Sequence, residues 1–589
     1  GKTLAKLLRG GTGVHHAGML PRYRRLVETL AQAGLLTVIC GTDTLGVGIN
    51  VPIRTVLFTG LAKFDGNRQR VLRAREFHQI AGRAGRAGFD VAGYVVVQAP
   101  EHVIENEKAK AKSAAKNSAV GANPKRKSKP QLKKAPEGAV VWSEQTFDKL
   151  VSGAPEPLPS RMRVDNSMLV NVLTREEDAF PVLRRLLMDN HEDRRSQLRL
   201  ARRALRLGRS LLRSGTITQL AAPDEHGRRY VLTVDLPDDF ALNQPLAHFA
   251  LAAFDLLEPE SPTYTLDIVS VVEAVLEPPR QILFAQQRTA RGEAVAEMKA
   301  DGLEYDERMA LLDQVTWPQP LAELLEAAFA IYQQTHPWLP DHALAPKSVV
   351  REMVEQGMGF TDLVGRYELA RSEGLVLRYL TDAYRTLRRT VPEAHRTPEL
   401  EDLVTWLGET VRQTDSSLLD EWEALLDPEH ATLDRSAPPP PPRPLSQQER
   451  AFTVMIRNTM FARVLLCARD DLDGLMRLER AAADRTDPPR QVLMTRSRWD
   501  EALEAYYADH DTLDTGADAR GPELLVVGPE KTGVPGGSDE DTTARIRRVR
   551  QTLHDPEGYH DWVLDGVVDC DASDAAGELV LTVVEVHRL

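Results

Sequence analysis

The sequence predicts a chain of several folded units: an α/β domain, a long and almost wholly helical region, and a C-terminal α+β domain. Three observations carry this. Short β-branched runs alternate with amphipathic stretches as far as about residue 100. Apolar residues then recur at three- and four-residue steps across about 240 to 435. Beyond a polyproline run at Ala437 to Leu445, helical patterning gives way to strand-like runs. At 589 residues the chain is too long for one core, since domains run to roughly 100 to 200 residues each.

Taken in order, residues 1–100 hold the runs TVIC (Thr37 to Cys40), RTVLFTG (Arg54 to Gly60) and GYVVVQA (Gly93 to Ala99), which predict strands of a parallel sheet between helices. Residues 101–138 are Lys/Ala-rich and then Pro-containing, and are expected as an exposed, disordered insertion. Within them, Lys108 to Lys134 carries ten lysines and arginines and no acid, in a chain whose formal net charge is -12. Such a stretch serves either as a flexible arm on RNA or as a plain solvated linker. Residues 139–220 read as mixed and end in a helical run, Glu192 to Gly215, with the glycine as stop signal. Residues 221–435 are expected as a helical domain, including Leu321 to His336 and Gly374 to Thr390. The polyproline segment 436–447 is stiff enough to hold two domains apart. In 448–589, helices to about Tyr507 precede the strand-like runs Glu523 to Gly528, Ala544 to Leu553, Asp561 to Cys570 and Glu578 to Val586. Helices followed by a curved antiparallel sheet are similar, at the level of fold alone, to the nuclear-transport-factor-like arrangement.

Cys40, Cys467 and Cys570 lie far apart with no paired spacing, which argues against a zinc knuckle or a disulfide framework and fits a reducing cytoplasm. No apolar run approaches the ~18 to 20 residues that cross a bilayer, and no signal-peptide order is present, so no membrane partner is expected, and with no metal-ligand spacing among the cysteines no metal site is expected either. The chain opens Gly-Lys-Thr without an initiator methionine and reads as a piece of a longer product.

The most informative residues are QIAGRAGR, Gln79 to Arg86. A transferring phosphoryl group develops charge that arginines can neutralise, and Arg83 and Arg86, three apart after a helix, can reach one phosphate together. Taken alone, the same residues also suit a surface turn with two solvated arginines. Upstream, VICGTDTLGVGINVP (Val38 to Pro52) is a strand running into a Gly/Thr-rich turn whose hydroxyls and amides can meet a phosphate backbone or relay to a nucleotide. Its plain alternative is an ordinary strand-end loop. Further upstream, GVHHAGMLPRYR (Gly13 to Arg24) places His15, His16 and Gly18 before a helix start at Pro21, which can accept a phosphate. Packing or capping would also use such a histidine pair.

These three segments, in this order and spacing, resemble motifs IVa, V and VI of superfamily 2 helicases, above all the Ski-like DExH branch, over roughly residues 10 to 100. The resemblance implies a RecA-like second motor domain in which Gln79, Arg83 and Arg86 face ATP across an inter-domain cleft. It places motif V's nucleotide- and strand-coupling residues on Thr42, Thr44, Gly46 and Gly48; Asp43 and Asn50 share that loop, and Asn50 is taken with Gly46 and Gly48 on the nucleotide side. SRMRVDNSMLVNVL (Ser160 to Leu173) is similar to the segment with which exosome-associated RNA helicases enter a winged-helix domain, and Lys347 to Arg389 resembles the C-terminal helical domain of the same enzymes, closest to an uncharacterised domain appended to helicases of high-GC bacteria. Together these resemblances imply the C-terminal portion of an ATP-dependent helicase using Mg2+, unwinding RNA 3′ to 5′, with RNA favoured over DNA and RNA-processing or degradation proteins as partners. A DNA repair helicase and a non-catalytic nucleic-acid-binding scaffold stand as alternatives.

A helicase also needs a Walker A loop and a DExH motif. Gly1-Lys2-Thr3 has no preceding glycine-rich turn, and Asp224-Glu225-His226 sits in a turn, PDEHGRR. These 589 residues are therefore expected not to hydrolyse ATP alone, most ATP and Mg2+ ligands belonging to a first motor domain. Two further segments carry candidates. Along Gly374 to Thr390, Arg378, Arg385, Arg388 and Arg389 spread over one helical face with Leu380 and Leu387 opposite, suiting either a strand-tracking surface or a solvated face. HDPEGYHDW, His554 to Trp562, offers a His and Asp acid/base pair or a turn between strands.

Overall fold

β-Branched residues form strands in the first unit where their alternation predicts them. A computed structural model describes residues 2–42, 53–64, 68–85, 90–119, 132–135, 140–157, 162–213, 217–233, 246–335, 343–416, 419, 444–486, 488–516, 518–533 and 544–589. They fall into two units, Gly1–Arg161 and Met162–Leu589.

In the first unit, α1 (Lys2–Arg9) leads to β1 (Thr12–His15), α2 (Pro21–Gln32) and β2 (Val38–Gly41), and β1 pairs parallel with β2. Pro21 opens α2, where a missing N–H costs nothing, and Val27 and Ala31 turn its buried face inward. Next come β3 (Thr55–Phe58), the antiparallel hairpin β4 (Ala62–Phe64) and β5 (Gln69–Val71), α3 (Ala74–Ala81) and β6 (Tyr94–Val97), with β3 parallel to β6. Phe58, Leu61, Leu72 and Phe77 make a core together with Leu150 of α5 (Glu144–Ser152). Between them lies a correction to the sequence reading. Residues 101–119, expected to be disordered, form the helix α4 (Glu101–Ala119). Its Ala, Lys and Glu content, read as low complexity, is also what favours a helix, and Glu105 pairs with Lys133 at 2.8 Å. Residues 120–131 lie outside the described set.

The second unit begins with α6 (Asn166–Leu173), α7 (Ala179–Met188), α8 (Arg194–Arg213) and an antiparallel hairpin of β7 (Ile217–Gln219) and β8 (Tyr230–Leu232), all sharing one core that includes Val164, Leu169, Leu200, Leu211 and Ile217. The hairpin carries this element past residue 220, where the sequence reading ended it. Its loop holds Asp224, which accepts the amides of His226 at 3.0 Å and Arg228 at 2.8 Å. Gly215, the expected stop, lies outside the described residues.

The helical region runs through α9 (Ala247–Phe254), α10 (Tyr264–Val275), α11 (Arg280–Ala300), α12 (Tyr305–Leu312), α13 (Ala322–Thr335), α14 (Val350–Glu355), α15 (Phe360–Arg366), α16 (Glu373–Thr390) and α17 (Pro398–Asp415). α10 is buried on every side from Ile268 to Val275. Its Glu273 is anchored by the amides of Val349 and Val350, at 2.9 and 3.0 Å, and by the Tyr379 hydroxyl at 2.7 Å. A buried carboxylate survives only when its lone pairs are met in this way.

The last elements are α18 (Glu449–Ala468), α19 (Leu472–Asp484), α20 (Arg496–Asp509), β9 (Leu525–Val527), β10 (Lys531–Gly533), β11 (Ala544–Thr552), β12 (Trp562–Asp569), α21 (Cys570–Ala576) and β13 (Leu581–Arg588). The sheet is antiparallel, ordered β10-β11-β12-β13 with β9 also on β11, and a register shift falls at Asp565/Gly566. α18 is long and apolar enough to cross a membrane by length and composition, contrary to the sequence reading. Phe452, Ile456, Met460 and Phe461 of this helix are buried in the core beneath the sheet. Arg463 on the same helix forms a fully buried pair with Glu479 at 2.8 Å. α17 packs on both α16 and α18, so the polyproline segment does not hold these parts separate as expected. Its residues 437–443 lie outside the described set, while Leu445 at its end is buried.

Candidate nucleotide-facing site

Parallel pairing of β1 and β2 brings the ends of two sequence motifs together. The backbone N–H of Thr42 donates to the carbonyl of His15 at 3.3 Å, so the first residue after β2 lies against the end of β1. Thr42 is exposed there. His16 and Gly18 are half-buried in a turn closed by the Met19 amide on the His16 carbonyl at 3.1 Å, directly before α2. His15 differs from its expected role. It is 3 % exposed and gives its Nε2 hydrogen to Glu28 Oε1 at 3.0 Å, so it pins α2 to β1 and is not presented to a strand. Thr44, Gly46, Gly48 and Asn50 lie outside the described residues.

The arginine motif is built on α3. Gln79 is exposed on this helix, and Arg83 is half-buried in the turn that follows Gly82. That turn is tied down from outside: the Gly85 amide donates to the Ile53 carbonyl at 2.8 Å, and Ala84 bridges Ile53 in parallel. Gly85 has φ +93°, a conformation that side chains resist. Gly93 presses on the same turn so closely that a Cβ on it would meet the Ala84 carbonyl at 2.5 Å. Arg86 lies outside the described residues.

Three carboxylate and carbonyl contacts fix α3, and sequence reasoning found none of them. Glu76 accepts from both terminal nitrogens of Arg70 on β5, each at 2.8 Å, from Lys63 on β4 at 2.9 Å, and from the Arg73 amide at 2.8 Å. The Arg70 guanidinium, foremost, holds the Glu76 carboxyl far below the usual carboxylate range. At the helix start, Glu156 accepts the amides of Ala74 at 3.0 Å and Arg75 at 2.9 Å, two donors that no helical carbonyl can reach. His78 meets the Gly153 carbonyl at 3.1 Å. Phe77 stacks on Phe58 at 5.1 Å and meets Phe147 edge-on at 5.8 Å. The one signal in the sequence is the Arg73–Glu76 capping-box spacing. The contacts from residues 147–156 are long-range and leave no local trace.

Residues 2–88 match the family described as "Helicase conserved C-terminal domain". Residues 99–586, most of the chain, match the family described as "Domain of unknown function (DUF3516)". The chain belongs to the DUF3516 family. It joins that region to a helicase C-terminal domain of the Ski-like superfamily 2 branch. The DUF3516 chain is similar to "DExH-box ATP-dependent RNA helicase DExH9" of Arabidopsis thaliana, 42% identical over 20% of this chain and 12% of the relative. It is similar to "Antiviral helicase SKI2" of Saccharomyces cerevisiae, 34% identical over 28% of this chain and 10% of the relative. It is also similar to "Probable helicase HelY" of Mycobacterium tuberculosis, 50% identical over 15% of this chain and 10% of the relative. The chain thus spans only about a tenth of the length of these relatives.

Elsewhere in the DUF3516 chain the expected candidates divide. α16 is central to the helical region, with Val376, Leu377, Tyr379, Leu380, Ala383, Tyr384 and Leu387 buried. Arg378 and Arg388 are exposed, whereas Arg385 is half-buried and Asp382 lies in the same field. Of the His554 to Trp562 segment, residues 554–561 form a loop between β11 and β12 and Trp562 opens β12. There Asp555 and Asp561 come with His510 into a cluster of ligand atoms within 4.8 Å of one another. Asp555 is occupied by the Tyr559 and His560 amides, at 2.9 and 2.7 Å, and Asp561 by Arg588 at 2.7 Å. His510 itself meets Glu557 and Asp561, each at 3.2 Å. That pattern suits an imidazolium held between carboxylates. Burial pulls the His510 pKa down, and those two carboxylates outweigh it, leaving the group above its ordinary value.

Proposed function

We propose that the DUF3516 chain is the C-terminal portion of an ATP-dependent RNA helicase that moves 3′ to 5′, and that its first unit forms one wall of an ATP site. The observation that carries this is the arginine turn: Gln79 exposed on α3 and Arg83 beyond it, in a backbone pinned by Ile53 and Gly93. The donors present fit the phosphates of ATP. Guanidinium and amide N–H groups stabilise charge on phosphoryl oxygens, whereas guanidinium has no lone pair for Mg2+. Mg2+ and most ATP ligands belong in this reading to a first motor domain, and the 589 residues alone are inactive. Within the chain, residues 1–100 act as the second motor domain. The helices α6 to α8 with the β7–β8 hairpin support a winged-helix reading, and the helices packed on the antiparallel C-terminal sheet support a nuclear-transport-factor-like one. Relatives named as RNA helicases support RNA over DNA, and RNA-processing proteins are the partners this reading expects. Three free cysteines, Cys40 among them exposed, support a reducing, cytoplasmic setting.

The test is ATP hydrolysis by the chain alone and by the chain joined to the first motor domain of a Ski-like helicase. RNA-stimulated hydrolysis is expected only in the joined protein, falling by about 10³-fold or more in Arg83→Ala and Arg86→Ala, the scale set by removing an arginine finger. Hydrolysis by the chain alone sinks the split-site reading, and activity indifferent to both arginines leaves the scaffold reading in its place. Equal or greater stimulation by DNA of matched sequence favours the DNA helicase.

A further inference from the structure

α8, Arg194–Arg213, contains eight arginines and no acid. At 3.6 residues per turn, Arg195, Arg202, Arg206, Arg209 and Arg213 fall within an arc of about 60°, diametrically opposite the buried residues Gln197, Leu200, Ala204 and Leu211. All five are exposed. Among the described residues no carboxylate lies within ion-pair distance of any of them. Arg199 and Arg203 sit at the margin of the stripe, where Arg199 bonds Ser196 and Arg203 gives its Nε hydrogen to the Val164 carbonyl at 2.7 Å. From Arg195 to Arg213 the line is about 27 Å long, at 1.5 Å rise per residue. That length covers about eight phosphates of one nucleic-acid strand at a rise of 3.4 Å each.

We propose that this outer face of α8 binds a nucleic-acid backbone, the guanidiniums taking successive phosphates. Three features select that occupant. Guanidinium is the side chain whose fork matches phosphate oxygens. The positive line persists in a chain of net charge -12, so it is a local field set against the whole. A membrane-surface helix needs its apolar face free to enter lipid, and the apolar face of α8 is already spent in the core with Val164, Leu169 and Ile217. The proposal needs nothing from the arginine turn of the first unit, so it stands or falls apart from the ATPase reading.

The full 589-residue chain is titrated, without nucleotide, into a fluorescein-labelled 20-nucleotide oligouridylate and a labelled hairpin duplex between 50 and 200 mM KCl, with fluorescence anisotropy as readout. Vesicles of phosphatidylserine and phosphatidylcholine form a parallel arm. The variant Arg202→Gln/Arg206→Gln/Arg209→Gln/Arg213→Gln is expected to bind about tenfold or more weakly at 100 mM KCl and to lose about 3 from the slope of log K against log salt, at roughly 0.7 to 0.9 per phosphate contact. The corresponding four-lysine variant is expected to keep most of the affinity, since it keeps the charge. The proposal is overturned by absence of binding at 50 mM KCl, by unchanged affinity and slope in the glutamine variant, by equal loss in the lysine variant, or by a loss confined to vesicles.

Discussion

The carboxylate of Glu156 accepts the backbone amides of Ala74 and Arg75, 82 and 81 residues earlier in the chain, at 3.0 and 2.9 Å. A residue of the DUF3516 region thereby caps the helix that carries Gln79 and leads to Arg83. The amides of a first helical turn have no internal acceptor, and a carboxylate there also complements the helix dipole. Replacing Glu156 with glutamine keeps the shape and removes the charge. Faster hydrogen exchange is expected at the Ala74 and Arg75 amides, with exchange at Val27 and Ala31 of α2 unchanged. No change at either capped amide would show the contact to be idle in solution.

Gly93→Ala tests the fixed backbone of the arginine turn. The added Cβ would lie 2.5 Å from the Ala84 carbonyl, closer than real atoms approach. Overpacking of this kind costs about 1 to 3 kcal/mol, and the half-buried turn at Ala84 and Gly85 is expected to shift with it. In a motor completed with its first domain, RNA-stimulated ATPase should fall more steeply than the melting temperature. A fully active Gly93→Ala protein would show that the close approach is not needed.

Acid should loosen α3 through Glu76. Its folded pKa lies below the unfolded value, with the Arg70 pair as the main cause. The contribution is therefore complete above about pH 4.5 and fades as pH falls through the folded pKa. Charge-assisted hydrogen bonds of this type contribute roughly 1.5 to 3 kcal/mol. Glu76→Gln should lower the first unit's stability near neutral pH by an amount in that range and flatten its dependence on acid. A variant whose urea midpoint matches the parent's at pH 7 would contradict this.

The loop around His510 should respond in the opposite sense. Burial opposes the charged ring, but Glu557 and Asp561 win, and the folded pKa stands above the unfolded one. The stabilisation is present in full below about pH 6.5 and is lost as pH rises through the folded value. Melting followed by tryptophan fluorescence should show the parent losing more stability from pH 6 to pH 9 than His510→Gln does. Parallel curves for the two proteins would rule out the imidazolium. Addition of Zn2+ should leave the parent's curve in place, because Asp555 and Asp561 are already occupied by backbone amides and Arg588.

The sequence alone determined the strands at Thr55–Phe58 and Tyr94–Val97, the helix start at Pro21, and the order of the motifs along the first unit. Each depends on residues adjacent in the chain, where β-branching, proline geometry and spacing act locally. It also contained the α8 arginines in plain view, but their rank on one face became decisive only once the core had claimed the other. Composition misled at α4, since the same Ala, Lys and Glu residues serve a solvated coil and a helix equally well. Tertiary structure decided the rest. It turned His15 inward to Glu28, left Arg385 of α16 half-buried beside exposed Arg378 and Arg388, and brought Glu156 to the start of α3. Burial and long-range hydrogen bonding depend on what the fold places opposite a residue, and no periodicity within a segment records that neighbour.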